Sequence, residues 1–218
     1  EKACTDECLP YIERLYDGLE ANDCWIADNH TLDIMSKKDG KETLHRLSLT
    51  AFMDAKSGVI VGWNVTDNPC SNSTLFALRH AILRYGAPKV VLFDNGTEFL
   101  TNDIAGRGHR TRKSKWNAEK PETILSRLGI EMKNAQVRNA RAKPIERAFL
   151  TFKESISKLF DSYTGGHILE RPESLKARIK KGEIPMDSQI REFLDVLIDG
   201  IYNAGDYGGA EKNKYKGY

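Results

Sequence analysis

Three carboxylates in this chain stand where a divalent cation could be shared between them. Asp28 follows the apolar run Cys24-Trp25-Ile26-Ala27. Asp94 closes the run Val90-Val91-Leu92-Phe93 and leads into Asn95-Gly96-Thr97-Glu98-Phe99. Glu146 lies in Lys143-Pro144-Ile145-Glu146-Arg147-Ala148-Phe149, at the mouth of a helix. Two carboxylates from strands and one from a helix start suit phosphoryl transfer, in which two bound cations about 3.5–4 Å apart stabilise the attacking and leaving oxygens. Magnesium prefers hard oxygen ligands, so Asp and Glu are the side chains such a site would use. An unpaired charge at Asp28, beside apolar neighbours, would be expensive, which favours a functional role over a structural one. Glu146 also suits its helix start electrostatically, and the two roles are compatible. Asp33 falls on the opposite strand face from Asp28 and Asp23 at the start of the strand, so both are expected to be structural. Asp54 is expected to serve the turn it precedes, and Glu98 is secondary. His30 shares the Asp28 face two residues on. Two readings stay open for it: positioning a nucleophile or metal-bound water, or acting as a hydrogen-bonded core histidine.

The elements that must position these groups follow from periodicity. Residues 23–35 alternate, with Cys24, Ile26, Asp28, His30 and Leu32 on one face of a strand. A second strand over 46–54 groups Leu47, Leu49, Ala51 and Met53, and a third over 59–66 follows the turn Lys56-Ser57-Gly58, predicting a hairpin. Leu75, Leu78, Ile82 and Tyr85 then repeat at helical spacing, with Ser71 to Ser73 as cap candidates and Gly86 and Pro88 as the stop. Lys89 to Phe93 is an apolar run fit for a strand buried on both faces. A short helix over 121–128 and a strand over 130–135 are expected next. Pro144 suits the first turn of the helix bearing Glu146, whose predicted buried stripe is Ile145, Phe149, Phe152, Ile156 and Leu159. Residues 163–182 look like a basic, irregular connection. A last helix carries Ile190, Phe193, Leu194, Leu197, Ile198 and Ile201, capped by Asp187 or Ser188. Leu9 to Glu20 reads as an amphipathic helix ahead of the core, with Ile12, Leu15, Tyr16 and Leu19 on one face.

The formal net charge of +2 hides an asymmetry: from Thr101 to Arg147 there are 12 Lys and Arg against 5 Asp and Glu. A basic middle beside candidate metal carboxylates suits a polyanion. Residues 101–120 lack apolar periodicity and carry Arg110, Arg112, Lys113 and Lys115, a mobile basic insert expected to meet that polyanion. Arg138, Arg141, Lys143 and Arg147 lie before or beside Glu146 and could clamp phosphates. No apolar stretch is long enough to span a membrane, and no signal peptide opens the chain. Cys4 and Cys8 lack a second pair of zinc ligands nearby, so with Cys24 and Cys70 they read as reduced thiols.

Trp25 ahead of Asp28, Asp94-Asn95-Gly96-x-Glu98-Phe99 and Lys143-Pro144-Ile145-Glu146-Arg147-Ala148-Phe149 together resemble the catalytic core of DDE transposases and retroviral integrases. The last run, with Tyr163-Thr164-Gly165 and Tyr202-Asn203-Ala204, is most similar to the phage Mu transposase branch. The resemblance implies an α/β, ribonuclease H-like mixed sheet flanked by helices. It divides the chain into a linker helix over 1–22, a catalytic core over 23–204 with the insert near 101–120, and a flexible tail over 205–218 leading to a missing C-terminal domain. It also implies metal-dependent cleavage and strand transfer of DNA. Asp28 would bridge two Mg²⁺ or Mn²⁺ ions, Asp94 would hold one and Glu146 the other. Lys153, seven residues after Glu146, matches a DNA-contacting lysine of integrases, whereas Leu150 departs from the family at another such position. The implied partners are DNA ends and target, further copies of the chain on DNA and an accessory activator protein. The implied setting is the cytoplasm of a bacterium, from a prophage or other mobile element. The rival readings are a ribonuclease H-like nuclease without strand transfer and an inactive DNA-binding remnant.

Overall fold

A computed structural model describes residues 18–94, 96, 99, 104, 123–134, 144–166 and 168–204. Arg110, Arg112, Lys113 and Lys115 of the expected insert lie outside the described residues. So do Arg138, Arg141 and Lys143, the helix expected from Leu9 apart from its end, Cys4, Cys8 and residues 205–218.

The elements run β1 (Cys24–Lys37), β2 (Leu44–Asp54), β3 (Ile60–Thr66), α1 (Ser71–Tyr85), β4 (Val90–Phe93), α2 (Ile124–Arg127) and β5 (Glu131–Asn134). They continue with α3 (Pro144–Ser155), α4 (Ser174–Lys181) and α5 (Asp187–Leu197), whose axis runs on as a π-helical stretch over Ile198–Asn203. The sheet order is β3-β2-β1-β4-β5. β1, β2 and β3 form an antiparallel meander, and β4 and β5 lie parallel to β1 and to each other. The chain therefore leaves β1 in opposite directions, and the carboxyl end of β4 opens where those directions diverge. In open α/β sheets, that crevice is where ligands bind.

Alternation along the strands creates two cores. On one face Ile26, Leu32, Ile34, Leu47, Leu49, Ala51, Met53 and Leu92 pack with Ile145, Phe149 and Phe152 of α3 and with Ile190 and Leu194 of α5. On the other face Trp25, Ala27, Phe52, Val61, Val91 and Phe93 pack with Ala77, Leu78 and Ala81 of α1. The sequence pattern of β1 and β2 is thus realised as read, because one face of each strand meets α3 and the other α1.

The hairpin turn is held by Asp54, whose fully buried carboxylate accepts from Ser57 N at 2.7 Å, Ser57 Oγ at 2.8 Å and Asn22 N at 2.9 Å. This is the turn role expected of it. Asp33 is buried and ion-paired with Arg46, also as expected.

Five expectations need correction. The cap of α1 is Cys70, whose Sγ accepts from Ser73 N, and not a residue from Ser71 to Ser73; Ser73 instead turns inward to Thr50 and Asn64. Leu159 is exposed, because α3 stops at Ser155 and the tighter 3-10 turn Ser157–Leu159 breaks the 3.6-residue phase of its stripe. The connection over 163–182 contains α4, a helix with Leu175 alone buried, too polar to show an apolar face. The cap position of α5 is Met186, with Gln189 Oε1 accepting from Met186 N at 2.9 Å. Asp187 is already helical, and Phe193 and Ile201 of the expected stripe are exposed.

Candidate active site

The parallel pairing of β1 with β4 runs Cys24 beside Val90, Trp25 beside Val91, Ile26 beside Leu92 and Ala27 beside Phe93. One residue further along each strand stand Asp28 and Asp94. Paired strands lie about 4.8 Å apart, so the register makes these two carboxylates neighbours. Alternation sets the side of the sheet that Asp28 takes. Trp25, Ala27, Val91 and Phe93 face α1, while Ile26 and Leu92 face α3. By the same alternation Asp28 falls on the α3 face, and Asp94 follows directly on the last residue of β4.

Helix α3 brings Glu146 to the same level. His30, on the Asp28 face, stacks on Phe149 with ring centroids 4.9 Å apart and planes 17° from parallel. Further along, Lys153 lies within electrostatic reach of both His30 and Asp33. Past the helix, Thr164 N bonds Asp33 O at 2.9 Å and Met35 N bonds Ser162 O at 2.8 Å. Lys153 beside Asp33 lies further along β1 than the Phe149–His30 contact, so the helix advances in the direction of β1, whereas the segment over 162–164 runs antiparallel to the strand. Back along each chain from the Phe149–His30 stack, three helical residues span about 4.5 Å to Glu146, and two strand residues about 6.6 Å to Asp28. Glu146 is exposed, whereas Asp28 and Asp94 are half-buried. The three carboxylates are close in level but are not drawn into one tight group in this structure.

Behind Asp28 the backbone is anchored. Asn29 N donates to Asp28 Oδ1 at 2.8 Å, while the Asn29 side chain, on the α1 face, accepts from Thr50 Oγ1 at 2.6 Å. Thr50 pairs with Ser73 at 2.9 Å, and Ser73 accepts from Asn64 at 3.1 Å. This polar chain ties β1, β2, β3 and α1 together at the level of Asp28. His30 is half-buried, and its Nε2 is buried without a hydrogen-bond partner. It is therefore not the hydrogen-bonded core histidine of one reading. Burial holds its imidazole below the ordinary histidine range, against the pull of Asp33 and with the help of Arg46 and Lys153.

Lys153 has a side chain only 12% exposed, and its Nζ is 2.7 Å from Glu170 Oε2. The same oxygen accepts from Gly166 N at 3.0 Å. Gly165 explains the motif that precedes it: at φ +75°, a Cβ there would meet the Glu170 carbonyl carbon at 2.7 Å. Tyr163-Thr164-Gly165 thus folds the loop that brings Glu170 to Lys153. Asn203, in the other motif, clips the edge strand: its Oδ1 accepts from Ile60 N at 2.9 Å and its Nδ2 donates to Ile60 O at 3.0 Å. Glu170 and Asn203 carried no sequence signal of their own beyond those motifs. Arg147 is exposed on the first turns of α3.

A second cluster lies at the opposite end of β1. Ligand atoms of His45, Asp67 and Asp187 all lie within 4.8 Å of one another, the tight group of this kind among the described residues. His45 Nε2 is 2.9 Å from both Asp187 oxygens, and Lys38 and Arg191 lean on Asp67. Those cations already balance the carboxylates, so the cluster is an ion-pair network fastening α5 to β2.

Comparison with known proteins agrees with this architecture. A chain of the simian T-cell lymphotropic virus intasome, solved with the PP2A regulatory subunit B56 gamma, aligns with a TM-score of 0.53 at 18% identity over 87% of this chain. This chain spans 52% of the length of that one. The HTLV-2 integrase catalytic core domain, in its trimeric form with magnesium, aligns with a TM-score of 0.50 at 17% identity, covering 92% of this chain and 95% of its own. The fold is that of integrase catalytic cores, a ribonuclease H-like mixed sheet with flanking helices. No curated protein matches the sequence. Residues 26–161 match the family described as TnsB C-terminal domain, and the chain belongs to that transposase family.

Proposed function

We propose that this chain is the catalytic core of a DDE transposase of the Mu-like branch, cutting DNA and joining the cut end to a target. What supports the reading is the register of β1 with β4, which sets Asp28 and Asp94 each one residue beyond the Ala27–Phe93 pair, and the His30–Phe149 stack one helical turn from Glu146. The donor set is three carboxylates, the hard oxygen ligands that Mg²⁺ or Mn²⁺ takes. Asp28 would bridge two such ions, Asp94 would hold one and Glu146 the other. When bound, the ions supply charge stabilisation for the attacking and leaving oxygens.

The rest is positioning by protein. The Asn29–Thr50–Ser73–Asn64 chain holds the β1 backbone rigid under Asp28, and the α3 packing holds Glu146 across from it. Arg147 and the basic residues before it, Lys143, Arg141 and Arg138, grip the phosphates on either side. In the first step a water oxygen bonds to the scissile phosphorus as the bond to the 3′ oxygen breaks, leaving a 3′-hydroxyl. In the second, that oxygen bonds to a target phosphorus as the target's own 3′ oxygen leaves. The partners are element ends and target DNA, further copies of the chain assembled on that DNA and an accessory activator. Among the described residues no helix is long and apolar enough to cross a membrane, and a prophage or similar mobile element in a bacterial cytoplasm is the setting proposed. A nuclease without strand transfer would leave nicks alone, and a DNA-binding remnant would leave neither. The deciding assay incubates the full-length parent with labelled element ends, target DNA and Mg²⁺ or Mn²⁺, and scores joined products.

Metal binding and DNA binding can each be checked apart from catalysis. Mn²⁺ at about 100 times its Kd raises folding stability by about 2.7 kcal/mol through linkage, seen as a higher Tm. Asp28→Asn erases most of that gain; a variant that keeps the full metal response takes Asp28 out of the site. Replacing Arg110, Arg112, Lys113 and Lys115 by Ala lowers the slope of log affinity against log salt by about 0.9 for each duplex phosphate that is no longer neutralised. An unchanged slope would move the DNA path away from this insert. Lys153 belongs to a different class, because removing it also leaves Glu170 without its ammonium.

A further inference from the structure

His30 and Glu146 each lack something the other could give. The His30 ring packs well against Phe149, at 4.9 Å and 17°, yet its Nε2 is buried with no partner. A phenylalanine would make the same stack without burying a polar atom, so packing alone does not explain a histidine here. Glu146 sits one helical turn before Phe149, exposed, and is not gathered with Asp28 and Asp94. Both residues flank the same contact between β1 and α3. Asp28 shares the His30 face of the strand two residues earlier.

We propose that His30 is a positioning residue for Glu146: its stack on Phe149 fixes the turn that carries Glu146, and its Nε2–H donates to the Glu146 carboxylate as that side chain turns inward beside Asp28 and Asp94. The inference rests on the three carboxylates being one cation site. An imidazole carries one N–H when neutral, and the partner at hand decides which nitrogen bears it. A hydrogen bond of this kind both orients a ligating carboxylate and relieves the buried nitrogen. Loss of such an outer partner commonly costs 10–100-fold in metal affinity or activity.

The test is a double-mutant cycle on the full chain, read by Mn²⁺ calorimetry and by melting of the metal-free protein. His30→Phe should keep or raise the metal-free Tm and weaken Mn²⁺ binding about tenfold or more. His30→Gln, which retains an N–H donor, should recover part of that affinity. In a Glu146→Gln background, His30→Phe should add nothing, because the two residues act through one contact. Wild-type Mn²⁺ affinity in His30→Phe, or effects that simply add in the double variant, would overturn the proposal while leaving the site intact. Unchanged affinity in both Asp28→Asn and Glu146→Gln would overturn the site reading itself, and the proposal with it. Should His30→Phe fail to fold, the cycle is run with His30→Gln against Glu146→Gln and the same criteria.

Discussion

On the proposed function, Asp28→Asn, Asp94→Asn and Glu146→Gln should each abolish DNA cleavage and joining while the chain stays folded. The cations they would hold are worth several kcal/mol of charge stabilisation in the transition state, so each variant is slower by about a thousandfold or more. As ligands of one site the three should act as a unit, and a double variant should be no slower than the worse of its singles. The structure makes the folded half of this claim specific. Asp28 and Asp94 are half-buried and Glu146 is exposed, so none of the three amides is placed inside the core. Asn in place of Asp28 still has a side-chain oxygen to accept from Asn29 N, the bond now 2.8 Å long. Rate measurements with pre-cut ends, together with circular dichroism of each variant, check both halves. Strand transfer near the wild-type rate in any one of them excludes that residue from the chemistry.

The site was legible in the sequence as residues but not as a place. Asp94 and Glu146 stood out because one closes and the other opens an element whose type could be read from its neighbours, and Asp28 because it is a charge set beside the apolar neighbours of a strand. That Asp28 and Asp94 each lie one residue beyond a paired position depends on β1 pairing in parallel with β4, a contact between distant segments that no local pattern encodes. The strands and α3 were legible for a physical reason: each buries a face, and burial imposes period on sequence. Where little is buried, the pattern is silent. α4 buries Leu175 alone and read as irregular chain, and Leu159 continued the α3 stripe on paper although the backbone had already changed to a tighter turn. Caps were missed because neither residue is a usual cap: Cys70 caps α1 through its Sγ, a weak acceptor, and at Met186 the bond is made by Gln189, which accepts from the Met186 N–H. His30 could be assigned to the Asp28 face by alternation, but its missing partner is a tertiary fact.

Gly62→Ala should have a large effect on stability, outside the site. Lying opposite Phe52 on β3, Gly62 faces α1 at the sheet's edge, and a bulge between Phe52 and Met53 sets that orientation. A Cβ built there would lie 2.5 Å from Ala77 O, 2.5 Å from Ala81 Cβ and 2.6 Å from Ala81 N. Two of those atoms are helix backbone and cannot swing aside as the end of a side chain could. The helix must lift from the sheet, opening the core that Ala77, Leu78 and Ala81 share with Phe52 and Val61. Overpacking of this kind costs about 3 kcal/mol, and in a domain of this size each kcal/mol lowers Tm by about 2–4 °C. Gly62→Ala should therefore melt about 6–12 °C below the parent. Adding Ala81→Gly removes the clash with Cβ but leaves both clashes with backbone, so it restores only a part. Gly200→Ala is the control: nothing lies within 4 Å of its Cβ, and its Tm should match the parent or exceed it slightly. A Gly62→Ala variant that melts with the parent would mean that α1 does not sit this close to β3, and the rigid α1 backing of the Asn29–Thr50–Ser73–Asn64 chain beneath Asp28 would fall with it.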